Sequence, residues 1–303
     1  MAMQTIEREL VAGTRWSRRR VSPGFLYVLP SLLFVVVFFL IPLAMVIWMS
    51  LHDWPLLGEP AYTGLDNYAA LLGDSTFWDG LWFTTKYTIL VTPPIFICAY
   101  ILAHLVNSKM RWVGLFRTIY FLPVVIGLGT SSLLWVWLFN DQVGFFSFIL
   151  SHLGVIKEPV LTTPNTSLAG VIVMVVWKTV GFTMVLLLVG MQAIPTELYE
   201  AAKIDGATWW PIQLFITIPL LRRTIALALI ISVVGSFLAF DQFFIMTGGG
   251  PNNSTVTVVY WIYRASFTYF KLGYGSALSL LLMVILTAIS VLQLVVLREP
   301  ETY

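Results

Sequence analysis

The sequence predicts an all-α protein, a polytopic membrane bundle of six transmembrane helices with both termini in the cytoplasm. Three observations carry that prediction. The 303 residues are 58% hydrophobic and 11% charged, with mean hydropathy +0.87, whereas a soluble domain carries about 25% charged residues. Six segments stay apolar over the roughly 20 residues that a bilayer crossing requires: residues 25–51, 81–106, 119–139, 168–190, 224–246 and 275–297. The loops between them alternate in charge, which gives the bundle a direction.

Taken in order, residues 1–24 form a tail with Arg8, Arg15, Arg18, Arg19 and Arg20. The apolar run after it is too long for a signal-peptide core and no small-residue cleavage site follows, so it reads as an uncleaved first span. Residues 52–80 carry Asp53, Glu59, Asp66, Asp74 and Asp79 without Lys or Arg. Pro30, Pro42, the pair Pro93-Pro94 and Pro123 interrupt the first three spans. Such breaks survive in a membrane where neighbouring helices satisfy the freed backbone groups, so the bundle is expected to bend. The single cysteine, Cys98, excludes a disulfide framework and reads as a small buried apolar residue.

Basic residues set the orientation. Besides the tail, they gather at Lys109, Arg111 and Arg117, at Lys203, Arg222 and Arg223, and at Arg298, while the opposite loops hold only Lys86, Lys157, Arg264 and Lys271. The positive-inside rule then puts both termini and residues 195–219 in the cytoplasm. The net charge of +2 is too small for a nucleic-acid footprint.

Residues 195–219 interrupt the apolar second half with charge and helix-capping chemistry. Pro195 stops the preceding segment and Thr196 is expected to N-cap a short helix. Glu197 falls in the first turn, where the helix dipole favours a carboxylate. Gly206 is expected to close the helix in the left-handed conformation, and Thr208 and Pro211 suit the start of a second one. Ala201 and Ala202 leave a face almost without side-chain bulk, open to close approach by another surface.

Glu200-Ala201-Ala202, Gly206 after three further residues, and Ile216-x-Ile218-Pro219 together resemble the EAA loop of ATP-binding cassette importer permeases. Ile218 stands where that family usually has Leu. Tyr62-Thr63-Gly64-Leu65-Asp66-Asn67-Tyr68 resembles an external segment of the carbohydrate-type members, those of the maltose and glycerol-phosphate kind. Thr247-Gly248-Gly249-Gly250-Pro251, with Ser254-Thr255 and Tyr260-x-x-Tyr263-Arg264, resembles their loop before the last helix. The resemblance covers nearly the whole chain from the first span onward.

The resemblance implies a multi-pass cell-membrane subunit that forms half of a translocation path with a second, homologous permease. Two ATPase subunits would dock on the cytoplasmic side, this chain coupling through Glu200, Ala201, Ala202, Asp205 and Gly206, and a solute-binding protein would dock on the far side. The solute would be a sugar or related polyol, or alternatively glycerol phosphate or another phosphorylated polyol. Residues 1–24 would be a cytoplasmic tail, 25–297 the permease domain with its coupling loop at 195–219, and 298–303 a second cytoplasmic tail.

No catalytic constellation is visible. His52, His104 and His152 are scattered and there is no phosphate-cradling loop, so the chain is expected to be no enzyme, to need no metal or cofactor, and to take its energy from a partner. A membrane-embedded enzyme would need a carboxylate or histidine cluster near one surface. A secondary transporter would show inverted repeats and no EAA loop.

Two charges lie within spans. An unpaired Lys178 would cost about 3 kcal/mol at mid-membrane, and it can reach Asp241 only by snorkelling. Each reads either as structural or as a solute contact. The resemblance places solute contacts on the third, fourth and fifth helices. On this chain they fall at Leu128, beside Gly129 and the Ser131-Ser132 pair; at Gly181, with Trp177 and Met184 on the same face; and at Gly235, Ala239 and Gln242. Trp177, Met184, Ala239 and Leu128 depart from the polar maltose pattern, so solute contact and simple packing both stand for them. Trp135 and Trp137 read as interfacial anchors or packing.

The orientation is open to test by labelling intact cells with an impermeant thiol reagent. Ser75→Cys and Asn253→Cys are expected to label, and Lys203→Cys is not; external labelling at 203 would invert the topology.

Overall fold

The computed structural model describes residues 23–107, 111–154 and 159–297. The tail arginines Arg8, Arg15, Arg18, Arg19, Arg20 and Arg298, with Lys109 and Lys157, lie outside them. The chain divides into two compact units, one up to Trp48 and the other from Met49 onward.

The first unit is helical. α1 (Pro23–Val35) runs through a π-helical turn at Val36–Leu40 into α2 (Ile41–Ser50). The turn sits immediately before Ile41-Pro42, where proline withholds a backbone donor and the ladder must adjust. The same device recurs at Gln213–Thr217, immediately before Ile218-Pro219.

The second unit opens with a ribbon that the all-α expectation lacked: β1 (His52–Asp53) pairs antiparallel with β2 (Ala61–Tyr62). α3 (Asp66–Leu72) leads into α4 (Ser75–Val106), the longest helix, which runs through Pro93 and Pro94. The third segment departs from expectation. Residues 119–139 are not one continuous helix; they hold the end of α5 (Val113–Val125) and all of α6 (Leu128–Leu138), bent by 97°. Pro123 weakens the last turn of α5, and Ile126 (ψ 134) and Gly127 (ψ 145) are extended, so the ladder stops there.

α7 (Phe145–His152) is a short surface helix. α8 (Pro164–Gln192) starts with Thr163 accepting from the Thr166 amide at 3.3 Å and with proline in its first turn. α9 (Thr196–Ile204), α10 (Trp209–Ile212) and α11 (Ile218–Leu220) form the polar loop.

The fifth segment is also broken. α12 (Arg222–Phe237) ends early and α13 (Asp241–Met246) starts afresh. No proline marks this stop, although Gly235 lies in the last turn of α12. The Ala239 carbonyl is taken instead by the Thr257 hydroxyl at 2.7 Å, a tertiary bond invisible to local pattern. α14 (Val258–Tyr263) and α15 (Leu272–Leu297) complete the unit.

Among the described residues, four helices are long and apolar enough to cross a membrane. The number rises to six if α5–α6 and the 209–220 stretch with α12 each count as one span. Cys98, expected to be buried, is exposed beside Ile97 and Ile101 on the outward face of α4, where an apolar side chain needs no protein partner. Trp135 is core, and Trp137 is exposed.

α4 is the axis of this unit. Around Phe77, near its start, pack Leu71, Val258 and Leu278. Around Val106, at its end, pack Met191, Ile194 and Leu221 from beside the polar loop. The first end is fastened by Asp74. Its carboxylate accepts from the amides of Thr76 (2.9 Å) and Phe77 (3.2 Å), from Trp261 Nε1 (2.8 Å) and from the Tyr274 hydroxyl (2.5 Å). One side chain thus caps α4 and ties it to α14 and α15. The 62–68 segment does similar work: Asn67 Nδ2 donates to the carbonyls of Ser50 and His52, each at 2.9 Å. Asp74→Ala removes a cap and strands two half-buried donors, so it is expected to cost about 1–3 kcal/mol. A clear fall in the thermal midpoint of the purified protein, with Asp74→Asn intermediate, would show it.

Candidate solute cavity and coupling loop

The third-span break is held from the neighbouring helix. Lys178, on α8 and 8% exposed, donates from Nζ to the carbonyls of Pro123 and Val124, both at 2.9 Å, and to that of Ile126. They lie at a helix end, where carbonyls lose their intrahelical partners, although that of Pro123 also accepts from the Ile126 amide at 3.3 Å, and a cation is favoured at that end of the dipole. One turn along α8, Gly181 allows the approach: a Cβ there would collide with the backbone of Tyr120 and Phe121. Lys178 does not snorkel toward Asp241. Asp241 opens α13, half-buried, and Lys178 spends its hydrogens on carbonyls.

A cavity of about 320 Å³ lies beside this break. Its polar lining includes Lys178, Thr183, Ser232, Ser236 and Gln242. Gln242 is 3% exposed; its Nε2 donates to the Tyr87 hydroxyl at 3.4 Å, and its Oε1 has no partner. The volume is at the lower end of the roughly 300–1,000 Å³ typical of small-molecule sites.

Of the path residues named from sequence, Leu128, Lys178, Gly235 and Gln242 line this cavity. The other five do not. Gly181 serves the helix crossing. Trp177 packs on Trp135, with ring centroids 5.6 Å apart. Met184 is fully buried in the core around Leu187. Ala239 is buried beside Phe243 in another core cluster, and Asp241 starts α13. The sequence reading missed Tyr87, Thr183, Ser232 and Ser236. Ser232 and Ser236, four apart on an apolar helix, were the available signal.

The polar loop is built for exposure. α9 buries no residue, and Glu200, Ala201, Asp205 and Gly206 are exposed. Its end is a Schellman turn: the Ala207 amide reaches the Ala202 carbonyl at 2.9 Å, the Gly206 amide reaches that of Lys203 at 3.1 Å, and Gly206 has φ +78. At the other end Thr196 is the first helical residue rather than the cap; Pro195 holds the cap position and no side chain caps the helix. Tyr100 on α4 donates to Gln213 Oε1 at 2.7 Å, tying the loop to the bundle.

Apolar spans walling a solute-sized cavity, with an exposed small-faced helix at one end of the bundle, define a membrane permease. The trehalose/maltose transport system permease protein MalF of Thermococcus litoralis is 34% identical over 91% of this chain and 94% of its own. The sn-glycerol-3-phosphate transport system permease protein UgpA of Agrobacterium fabrum is 32% identical over 89% and 92%. A chain of a bacterial alginate ABC transporter, solved with an alginate pentasaccharide-bound periplasmic protein, shares the fold with TM-score 0.75 at 21% identity, over 96% of this chain and 94% of that one. The chain belongs to the family of binding-protein-dependent transport system inner membrane components, whose profile matches residues 11–301.

The crossing at Gly181 is testable. Gly181→Leu is expected to cost about 1–3 kcal/mol or more by overpacking. The readout is a lower thermal midpoint, with Gly181→Ala affected less.

Proposed function

We propose that the protein is one of two homologous permease subunits of an ATP-binding cassette importer for a sugar or related polyol. Its six spans have both termini in the cytoplasm. Residues 25–297 form the permease domain between the short tails 1–24 and 298–303, and residues 195–219 are the coupling loop. Two ATPase subunits dock on the cytoplasmic side and hydrolyse ATP, one of them on that loop, and a solute-binding protein delivers solute on the opposite side. The sugar assignment draws on the names of relatives such as the trehalose/maltose permease protein.

The observation that carries the reading is α9. A water-facing helix with a small face at Ala201 and Ala202, closed by a left-handed glycine and tied back to α4 through Gln213, is a lever with a seat for another protein. Movement of the ATPases would pass through Tyr100 and the packed end of α4 to the bundle and switch the side on which the cavity opens. The contact residues are Glu200, Ala201, Ala202, Asp205 and Gly206.

Ala202→Phe would overfill the seat, and Glu200→Ala would weaken a charged contact without filling it. The first is expected to abolish co-purification of the ATPase, and the second to keep it while lowering solute-stimulated ATP hydrolysis. Wild-type values for Ala202→Phe in both assays would remove the loop as the coupling element.

A further inference from the structure

We propose that Asp241 and the aromatic rings beside it form part of the seam with the second permease subunit, and that an arginine of that subunit closes the seam on the Asp241 carboxylate. The inference rests on the permease reading above and names the surface and the chemistry that one of its partners meets.

Gln242, the residue after Asp241, donates to the Tyr87 hydroxyl on α4. Counted at 1.5 Å per residue, Tyr87 stands about 18 Å from the Ser75 end of α4 and about 29 Å from its Val106 end. Asp241 thus lies between the two membrane surfaces and not at either. Its carboxylate has no hydrogen-bond or ion-pair partner among the described residues. A carboxylate at that depth is too costly to face lipid; such a group faces protein or a water-filled space and pairs with an opposite charge.

The helix shows which way the carboxylate points. Gln242, Phe243 and Met246 are buried in the bundle, while Asp241, Phe244 and Ile245 lie on the other face of α13, and Phe244 is 42% exposed. Aromatic rings continue that outward face. Phe240 stacks on Phe244 with centroids 5.1 Å apart, and Tyr263 lies 5.0 Å from the first ring and 5.5 Å from the second. A carboxylate bordered by rings suits a guanidinium, which forks onto the one, stacks on the others and is more weakly hydrated than an ammonium. The cluster already holds one cation in this way: Arg264 lies 5.0 Å from the centroid of Tyr260, whose ring meets Phe240 edge-on.

Among the described residues none supplies the missing cation. Arg264 donates to Asn253 Oδ1 at 2.8 Å, and Lys178 to the carbonyls of Pro123 and Val124. α1 and α2 contain no Lys, Arg or His. The protein that the permease reading sets against this chain inside the membrane is the homologous subunit, and the charge that complements Asp241 falls to it.

The test uses the whole transporter, expressed with its second permease and its ATPases and purified through a tag on this chain. A photocrosslinking amino acid in place of Phe244 is expected to capture the second permease at a peptide that holds an arginine within a span. Asp241→Leu leaves that arginine buried without its counter-charge, so the second permease is expected to co-purify about tenfold less, with Asp241→Glu affected less. Replacing the captured arginine by leucine in the Asp241→Leu background is expected to restore assembly, which a misfolded variant would not allow. Unchanged or improved co-purification with Asp241→Leu would overturn the inference, and so would a defect that the arginine replacement leaves in place. Capture from position 244 of lipid alone, of this chain alone or of a peptide without arginine would do the same. An Asp241→Leu transporter that assembles fully but loses uptake would put the carboxylate on the solute path and overturn it too. If no second permease co-purifies with the wild-type chain, the reading of paired permeases itself fails, which keeps the two failures distinct.

Discussion

The bond between the Lys178 ammonium and the broken end of α5 is the constraint on which the centre of the bundle depends. Each half would be costly alone. A lone cation in a span is unfavourable by kcal/mol amounts, and a helix that stops inside a membrane leaves carbonyls that no water can satisfy. Brought together they offset one another, and Gly181 makes the meeting possible by letting the Tyr120 backbone lie against α8. The 97° turn between α5 and α6 follows from this arrangement. So does the position of Leu128, whose side chain reaches the cavity from the first residue of α6.

The rest of the unit is fastened at its two ends by different means. Near the start of α4, Asp74 gathers backbone and aromatic donors from three helices, and Asn67 clamps the chain at Ser50 and His52. Near the end of α4 the ties are an apolar cluster and the Tyr100–Gln213 bond. The 62–68 segment, singled out in the sequence for its likeness to other permeases, thus has a plain structural reason for its asparagine and its tyrosine, since Tyr68 shares a 2.8 Å hydrogen bond with Ser50.

How much of this could be read beforehand depends on whether the cause was local. Most span positions followed from apolar length, and Gly206 from the need for positive φ at a helix end. The breaks at Ile126 and Ala239 did not follow. Pro123 announced an interruption but not a right-angled turn, and a lone Gly235, which a spanning helix tolerates, did not announce the stop before Ala239, whose carbonyl is held by the hydroxyl of Thr257 eighteen residues away. The partner of Lys178 was hidden for the same reason: it is backbone, and backbone carbonyls look alike in a sequence. For Trp177, Met184 and Ala239 register left packing and solute contact both open; helix rotation, which register does not give, sets Met184 and Ala239 in core clusters and packs Trp177 against one of them.

The loop at the end of the bundle has one more consequence. Ile204 is 86% exposed and Trp210 67% exposed, within a few residues of the bare alanine face. Apolar surface of that kind, rimmed by charge, is uncomfortable in water until another protein covers it. A surplus copy of the chain, made without its partners, would keep this surface uncovered. On the coupling role proposed above, the surface that would seat a partner in the assembled transporter would mark a lone copy as unfinished.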